Sequence, residues 1–532
     1  MTPMRTFPRT LRIALCVALC LPAGCVVGPV YHQPAATTDP QQPASYKESP
    51  AHFKDTNWKV ARPSDAMLRG DWWKIFKDPE LDSLEAQLNI NDQNIKQFFQ
   101  NYMEARALVR EVASQYYPTL SAGFSQSRSI VPQAIIPTAA AMSALDVSWE
   151  PDLWGRVTKA VRAARFNAQV SAADLENERL SEQASLAVLY FEIRGQDSLQ
   201  QILNDTVIAD KKALDYNKAQ YDTGITDQIS VVEAANTLQN AEATATNIGV
   251  LRAQYEHAIA VLVGRVAANF SIPVKPLKAT PPAVPLGLPS ELVQRRPDVS
   301  AAERSMAAAN AQIGMAEAAY FPVITLSGQR GFQFSGTPVS TTTSGTTAGV
   351  LTPGTTTNRG TTIVPNTTTG LTQLFDVHNT TWSYGPSATQ TILDGGLRRA
   401  TVHQYIATYN ADLAAYRQTV LTAFQQVEDY LAQVRILSMQ LVQQRAAEQS
   451  AQTFLKLEMS RFQTGIDPYV DVVTAQTTLL TDQVAVINVQ VQEMTGAVQL
   501  VKALGGGWDL SQLPTPSQVS KWPKHSEATM QQ

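Results

Sequence analysis

The amino-acid sequence predicts a mixed, mainly α fold: a tandem-duplicated unit of long coiled-coil helices, with four transmembrane β-strands per chain. Proline usage is the first observation. The chain has 30 prolines, yet none lies between Pro151 and Pro273, and only Pro468 lies between Pro386 and Pro514. A proline inside a helix costs about 3 kcal/mol, so these two stretches predict very long helices.

Apolar spacing is the second observation. From Val420 to Leu441 the apolar residues keep a seven-residue repeat, and from Leu480 to Val501 they alternate in steps of four and three. This spacing is typical of coiled coils. The 67 residues from Arg156 to Asp222 would span about 100 Å as one helix, which predicts an extended rod.

The third observation is that the two halves of the chain share one plan. Matching positions are 240 or 241 residues apart: Gly155 with Gly395, Tyr190 with Tyr430, Gly224 with Gly465, and Gly264 with Gly505. Upstream, residues 116–118 match residues 320–322 at a spacing of 204. The change in spacing indicates an insertion in the second copy. We therefore interpret the chain as one unit duplicated in tandem.

Alternating apolar and polar residues predict two strands in each unit. The first pair covers about 119–130 and 142–154, and the second covers about 322–336 and 380–393. Each segment has roughly the length that crosses a bilayer when tilted. A soluble sandwich with one wet face is the alternative. Residues 337–372, between the last two strands, are nearly half threonine and predict a flexible extracellular loop.

Four strands cannot close a barrel, and an open sheet edge is not tolerated in lipid. A barrel of eight strands, from two copies, is filled by its own side chains. Three copies supply twelve strands and leave a lumen. The sequence thus predicts a homotrimer that forms a 12-stranded β-barrel continued by an α-helical tunnel.

The N-terminus has the pattern of a secretory signal. Basic residues precede a short apolar stretch that ends in small residues before Cys25. Cleavage there would leave one cysteine, at the first mature position, which favours covalent lipid attachment to Cys25. An ordinary signal peptide is the alternative. The sequence indicates no other cofactor.

Composition and motifs argue against two other classes of protein. The net charge is −4, without the basic excess of a nucleic-acid binder. The six histidines are scattered, with no pair at metal-ligand spacing, and there is no catalytic serine elbow or phosphate-binding glycine loop. We therefore expect no metal site, no enzymatic activity and no nucleic-acid partner.

Four ordered motifs resemble those of one family. Residues 25–34 (CVVGPVYHQP) resemble the start of mature outer-membrane efflux lipoproteins, and residues 71–81 (DWWKIFKDPEL) resemble their W-W-x-x-F-x-D-P-x-L segment. Residues 292–299 (LVQRRPDV) resemble L-x-x-R-R-P-D-V, and residues 461–465 (RFQTG) are similar to R-Y-x-x-G. The chain is identified as a member of the outer-membrane factor (TolC-like) family, in its lipoprotein (NodT-type) branch, over residues 25–507.

The resemblance implies the exit duct of an RND-type tripartite efflux system. Such a duct is lipid-anchored in the outer membrane, extends into the periplasm and passively conducts drugs, metals or other small molecules. Its partners would be a periplasmic adaptor (membrane fusion) protein and an inner-membrane RND-type transporter, with no catalysis of its own. The alternative is a lipid-anchored coiled-coil stalk or adhesin without a pore.

The predicted organisation follows from these patterns. It consists of a lipoprotein signal peptide (1–24), a lipidated extended segment (25–70), a first efflux repeat (71–272), a linker (273–290), a second efflux repeat (291–507) and a C-terminal tail (508–532).

Two helix-to-helix turns, at Gly224 and Gly465, are expected at the periplasmic tip. Asp471 falls where the family pattern has a mouth-lining aspartate, and Asp467 falls where its lipoprotein members often carry theirs. The first turn offers Asp227. Repeated around a threefold axis, these aspartates are predicted to form the periplasmic aperture and to favour cations. The alternative is that they merely solvate the turns.

Overall fold

The computed structural model describes residues 26–37, 45–48, 70–130, 137–278, 280–282, 284, 289–336 and 374–521. The predicted signal peptide, the predicted lipidation site Cys25 and the threonine-rich segment 337–372 lie outside these residues. The chain divides into two compact units. One contains the β-sheet and the other contains most of the helical residues.

The sheet unit contains the four predicted strands: β1 (Thr119–Ile130), β2 (Pro137–Trp149), β3 (Val323–Gly336) and β4 (Thr380–Thr389). Their order is β1-β2-β3-β4, and every neighbouring pair is antiparallel. Alternation of apolar and polar side chains therefore predicted the strands, although not all of their ends.

The predicted bounds of the second strand, 142–154, are shifted by five residues. β2 begins earlier because Pro137 already pairs with Ile130 across the hairpin. It ends at Trp149 because Asp152 serves the following helix: its carboxylate accepts the amide of Val157 at 3.0 Å. A residue that caps a helix cannot also continue a strand ladder.

The fourth strand is shorter than the predicted 380–393 for a similar reason. β4 ends at Thr389, and Asp394 caps the helix that follows. Its carboxylate accepts the amides of Gly396 at 3.0 Å and Arg398 at 3.2 Å. Residues 390–393 lead into this cap.

The helices show the predicted duplication. In chain order they are α1 (Pro79–Asn91), α2 (Gln93–Ala113), α3 (Arg156–Asp222), α4 (Gln228–Leu262), α5 (Pro289–Arg295), α6 (Pro297–Ala318), α7 (Leu397–Gln463), α8 (Tyr469–Ala503) and α9 (Pro516–Val519). Both α3 and α7 have 67 residues, and both α4 and α8 have 35. Among the described residues, no helix has the length and apolar character needed to cross a membrane.

These helix bounds correct two of the predicted matches between repeats. Every helix end in the two hairpins is displaced by 241 residues. Gly155 is therefore equivalent to Gly396, not Gly395. Each of these two glycines directly precedes a long helix and has a positive φ, +79° at Gly155 and +92° at Gly396. By the same spacing Tyr190 matches Leu431, and both are fully buried, whereas Tyr430 is half-buried.

The largest core of the helical unit surrounds the aromatic segment that follows Asp71. Trp72 and Trp73 lie in a short 3₁₀ helix, and both are buried. The indole Nε1 of Trp72 donates to Oε1 of Gln183 at 3.1 Å, and Phe76 lies against Phe191 at a centroid distance of 5.0 Å. These aromatics therefore pack α1 against the middle of α3.

Candidate functional sites: two helix turns and a two-faced sheet

Each helical hairpin closes through a glycine in the left-handed region. Gly224 has φ +73° and Gly465 has φ +76°. The next residue in each turn, Ile225 or Ile466, donates its amide back into the preceding helix at 2.9 Å and 3.0 Å. An added Cβ would meet nothing within 4 Å at either glycine, so backbone conformation selects glycine here, not lack of space.

Asp227, the predicted aperture residue of the first turn, caps helix α4. Its carboxylate accepts the amide of Ser230 at 3.1 Å and the hydroxyl of the same serine at 3.2 Å. An aspartate at this position satisfies a helix amide that otherwise lacks a partner. The geometry therefore gives Asp227 a local structural role, and its place in the aperture of a trimer stays a prediction.

Asp467, in the second turn, forms an ion pair within its own chain. Both of its oxygens accept from the guanidinium of Arg461, with Nη2 to Oδ1 at 2.9 Å. This hydrogen bonding lowers the pKa of Asp467 and raises that of Arg461. Asp467 therefore stays ionised, and the positive charge of Arg461 lies next to its negative charge.

A third carboxylate, Glu458, joins the two predicted ones. Ligand oxygens of Glu458, Asp467 and Asp471 lie within 4.8 Å of one another. Partial burial, and then the charge of Asp467, raise the pKa of Glu458. Carboxylates in such a group can ligate a divalent cation, but Arg461 already occupies both oxygens of Asp467.

Neither the part of Glu458 in this cluster nor the ion pair of Arg461 was predicted from the sequence. Residues 458 and 461 are three apart on the last turns of α7, so they share a helix face. That spacing could have indicated the acidic and basic pair beside the turn. The same spacing could not have indicated that the chain reverses after α7 and brings Asp467 back beside residues 458 and 461.

The two hairpins pack together beside their turns. Phe462 lies at 5.9 Å from Tyr216 of the first hairpin and at 5.4 Å from Tyr469, measured between ring centroids. Burial raises the pKa of Tyr469 to about 12. In contrast to this apolar layer, α3 contributes a buried carboxylate, that of Asp210. Burial raises the pKa of Asp210 to about 6.

Equivalent apolar side chains are exposed at both turns. Ile225 is 73% exposed and its counterpart Ile466 is 64% exposed. One helical turn further on, Ile229 and its counterpart Val470 are also exposed. Each hairpin therefore presents the same two-residue apolar patch, which a partner protein could cover.

In the other unit, the sheet register separates apolar from polar side chains, because residues paired across antiparallel strands share a face. The apolar face carries Leu120, Ala122, Phe124, Ala141, Leu145, Val147, Trp149, Ile324, Leu326, Phe332, Phe334, Trp382, Tyr384, Pro386 and Ala388, with Gln126, Ser143, Gly328, Arg330 and Thr380 among them. The opposite face is mainly serine, threonine and glutamine, with Asp146.

Aromatic side chains border the sheet where it meets the helices of its own unit. Tyr117 is exposed, and the indole of Trp149 donates to the carbonyl of Tyr116 at 3.0 Å. Trp154 stacks on Phe321 with centroids 4.9 Å apart. Such residues are enriched where membrane proteins meet the lipid headgroups.

Comparison with known families gives one match that spans most of the chain. The model of the family described as "Outer membrane efflux protein" matches residues 84–265 and 288–506. These two segments correspond to the two repeats.

Individual relatives agree with the family match. The chain is 28% identical to the antibiotic efflux pump outer membrane protein ArpC of Pseudomonas putida over 504 residues, covering 93% of this chain and 95% of ArpC. It is also 28% identical to the outer membrane protein OprJ of Pseudomonas aeruginosa over 506 residues, covering 93% of this chain and 95% of OprJ.

Solved structures share the fold. The CmeC outer membrane channel of Campylobacter jejuni superposes with a TM-score of 0.77 at 21% identity, covering 95% of this chain and 99% of CmeC. The open-state MtrE outer membrane channel of Neisseria gonorrhoeae superposes with a TM-score of 0.74 at 23% identity, covering 91% of this chain and 99% of MtrE.

Proposed function

The chain belongs to the outer membrane efflux protein family, and from this membership we propose that it is the outer-membrane exit duct of a tripartite efflux pump, passively conducting small molecules outward. The observation that carries this proposal is the two-faced sheet. A sheet with one apolar and one polar face suits a barrel wall between lipid and a water-filled lumen.

The sheet also supports assembly from three copies. β1 and β4 are its edge strands, and each leaves one side of its backbone without a partner within the sheet. Edges of this kind must be paired inside a membrane. Three chains that join β4 to the next β1 would close a barrel of twelve strands, and their hairpins would form the periplasmic tunnel.

The turns offer the surface for a partner. Ile225 and Ile466 are exposed at equivalent places, so a trimer would present six similar apolar patches. We assign these patches to the periplasmic adaptor, which would connect the duct to an inner-membrane RND-type transporter. The stalk or adhesin alternative needs neither these patches nor a polar sheet face.

Cargo is proposed from the names of relatives. One relative is called an antibiotic efflux pump outer membrane protein and another a toluene efflux pump outer membrane protein, both from Pseudomonas putida. We extend the same classes, antibiotics and organic solvents, to this chain as its cargo. No catalytic role is assigned, because the residues of the turns and sheet serve as walls and contacts.

A lipid on Cys25 would hold the duct at the periplasmic face of the membrane. Val26 follows this cysteine directly and touches Gly155, and the amide of Val27 donates to the carbonyl of Trp154 at 3.2 Å. The first described residues thus lie beside the aromatic border of the sheet, where an acyl chain could enter the bilayer.

Acyl labelling tests this anchor. Cys25→Ala should abolish incorporation of labelled fatty acid, while the trimer still assembles in detergent. Persistent labelling of the variant would show that the lipid is attached elsewhere or is absent from this site.

Conductance in a planar bilayer tests the duct. The wild-type trimer should form cation-selective channels, and a chain that is only a stalk should form none. Asp467→Ala/Asp471→Ala should lower cation selectivity, because the variant removes the two carboxylates that we propose for the periplasmic mouth. The control, Asp205→Ala/Asp215→Ala, removes two exposed carboxylates from α3. Equal selectivity in both double variants would reject the aperture assignment.

A further inference from the structure

Acidic residues are absent from two long segments of the sequence, each of which includes strands of the sheet. No aspartate or glutamate occurs from Thr119 to Leu145 or from Val323 to Phe375, whereas these segments contain Arg128, Arg330 and Arg359. The whole chain, by contrast, carries a net charge of −4. These two sequence segments therefore carry a net positive charge.

Arg330 has an unusual position within these segments. It lies on the apolar face of the sheet, paired across the strands with Leu145 on one side and Trp382 on the other. All three side chains are exposed. Among the described residues, nothing forms a hydrogen bond or ion pair with its guanidinium. A cation at the midplane of a lipid-facing barrel wall is energetically unfavourable, and this penalty falls towards zero at the headgroups.

The height of Arg330 along the membrane normal would place it outside the apolar band, where this energetic penalty is small. Nine residues separate it from Phe321 in the aromatic border, which is about 30 Å along an extended strand. With a strand tilt of about 40°, the corresponding height is about 23 Å, close to the roughly 25 Å of an outer-membrane apolar band. If the border lies at the periplasmic headgroups, Arg330 lies at the opposite ones.

A second copy of the chain cannot supply a counter-ion at this height. In the proposed barrel, β4 would meet β1 of the next chain, and β1 contains no acidic residue. Asp146 of β2 lies on the polar face. Asp376 lies in the segment before β4, where its carboxylate contacts Nδ1 of His378 at 2.8 Å; among the described residues, no ion pair joins it to Arg330. Phosphate groups at the membrane surface are therefore the source of negative charge that suits Arg330 at this height.

We infer that Arg330 binds a phosphate group of a phosphorylated glycolipid in the outer leaflet, an inference that rests on the proposed membrane duct. Arginine suits this ligand because its planar guanidinium offers two parallel hydrogen bonds to phosphate oxygens. Trp382 and Tyr384 lie beside it, stacked with centroids 5.6 Å apart and planes 15° apart. Exposed aromatic rings at this level contact the sugar and the upper acyl chains.

Lipid binding to the detergent-solubilised trimer tests this site. The probes are a bisphosphorylated glucosamine-disaccharide lipid, the same lipid without phosphates, and inorganic phosphate. The bisphosphorylated lipid should raise the melting temperature of the wild type, and the other two should not. Arg330→Gln should weaken binding about tenfold, as expected for one lost charge-assisted contact. Arg330→Lys should retain part of it, and provides a second variant if the first assembles poorly.

The control variant is Arg399→Gln, which removes an exposed arginine from α7 rather than from the sheet. Its lipid affinity should equal that of the wild type. Equal affinity in Arg330→Gln, or equal stabilisation by the phosphate-free lipid, would overturn the inference. Conductance in phospholipid bilayers keeps the two proposals apart: a trimer that conducts but does not discriminate the phosphorylated lipid refutes this site alone. A wild type that does not conduct refutes both.

Discussion

The two repeats have hairpins of equal length but differ in their polar residues. Helices α3 and α7 match residue for residue at a spacing of 241, as do α4 and α8. Arg194 is matched by Arg435, but Asp210 is matched by Ala451 and Asp227 by Pro468. Duplication therefore preserved the apolar seams that fix helix length and packing. The polar positions diverged, because each repeat holds a different neighbouring segment.

The matched arginines illustrate this divergence. Arg194 is almost fully buried, and it contacts Oδ2 of Asp197 at 3.1 Å and the carbonyl of Pro273 at 2.7 Å. It thereby holds the segment that follows α4. Arg435 instead contacts Oε2 of Glu48 at 2.5 Å, so it holds the N-terminal segment. The same helix position thus fastens two unrelated pieces of chain.

Removing each arginine should produce the largest difference between the repeats. Arg194→Ala should lower the free energy of unfolding by about 3 kcal/mol, because it removes the partner of Glu80 and one of the two arginine partners of the buried Asp197. Arg435→Ala should cost less, about 1–2 kcal/mol, since the side chain of Arg435 is 14% exposed whereas that of Arg194 is 3% exposed. Urea unfolding of the trimer, followed by tryptophan fluorescence, measures both.

A double variant checks the cause. The destabilisation of Arg194→Ala/Asp197→Ala should be less than the sum for the two single variants, because each single variant already removes the contact between these side chains. The Asp197→Ala single variant accounts for the contact to Arg252 that is lost as well. If Arg194→Ala and Arg435→Ala prove equally unstable, burial of the ion pair does not distinguish the repeats.

Asp210 and Ala451 provide the next contrast. Burial raises the pKa of Asp210 from 3.8 to about 6. Tyr469 of α8 interacts electrostatically with Asp210, and also with Glu233 of α4. The folded state therefore binds this proton more tightly than the unfolded state. The stabilisation of the folded state by this tighter proton binding is complete below about pH 4 and is lost as the pH rises through about 6.

Asp210→Ala copies the second repeat and should stabilise the protein by about 2 kcal/mol at pH 7, because no charge is then forced into the packed layer. Little gain should remain at pH 4, where Asp210 is protonated in the folded state. Melting temperatures between pH 4 and pH 8 measure this. The exposed neighbour Asp205→Ala is the control, and an Asp210→Ala gain independent of pH would contradict the assignment to ionisation.

The sequence predicted the long helices and the strands because their signals extend over many residues. Heptad spacing and the absence of proline act over dozens of positions. One polar residue within the apolar repeat, Ser438 between Val434 and Leu441, therefore did not obscure the pattern. Boundaries depend on single contacts. Two consecutive glycines, 395 and 396, made the match with Gly155 ambiguous by one residue, and the caps at Asp152 and Asp394 set strand ends that alternation alone could not locate.

The candidate sites were predictable to a different degree. The turn glycines follow from local conformational rules, and an aspartate just before a helix, such as Asp227, could have been interpreted as a cap. The ion pair between Arg461 and Asp467 depends on the path of the reversed chain. The face on which Arg330 lies depends on strand register. Neither is encoded in a short segment.

The turns should show the smallest difference. Asp227 caps α4 through Ser230, whereas Pro468 precedes α8 without any side-chain cap. Asp227→Ala should therefore cost about 1 kcal/mol of unfolding free energy, the usual value of a lost N-cap, and Asp227→Asn should cost almost nothing because its side-chain oxygen still accepts the amide. Pro468→Ala removes no such bond and should change stability less than Asp227→Ala does.

Hydrogen exchange of the Ser230 amide reports the cap directly: it should accelerate in Asp227→Ala and remain slow in Asp227→Asn. Equal acceleration in both variants would mean that the charge of Asp227, rather than its accepting oxygen, holds the turn.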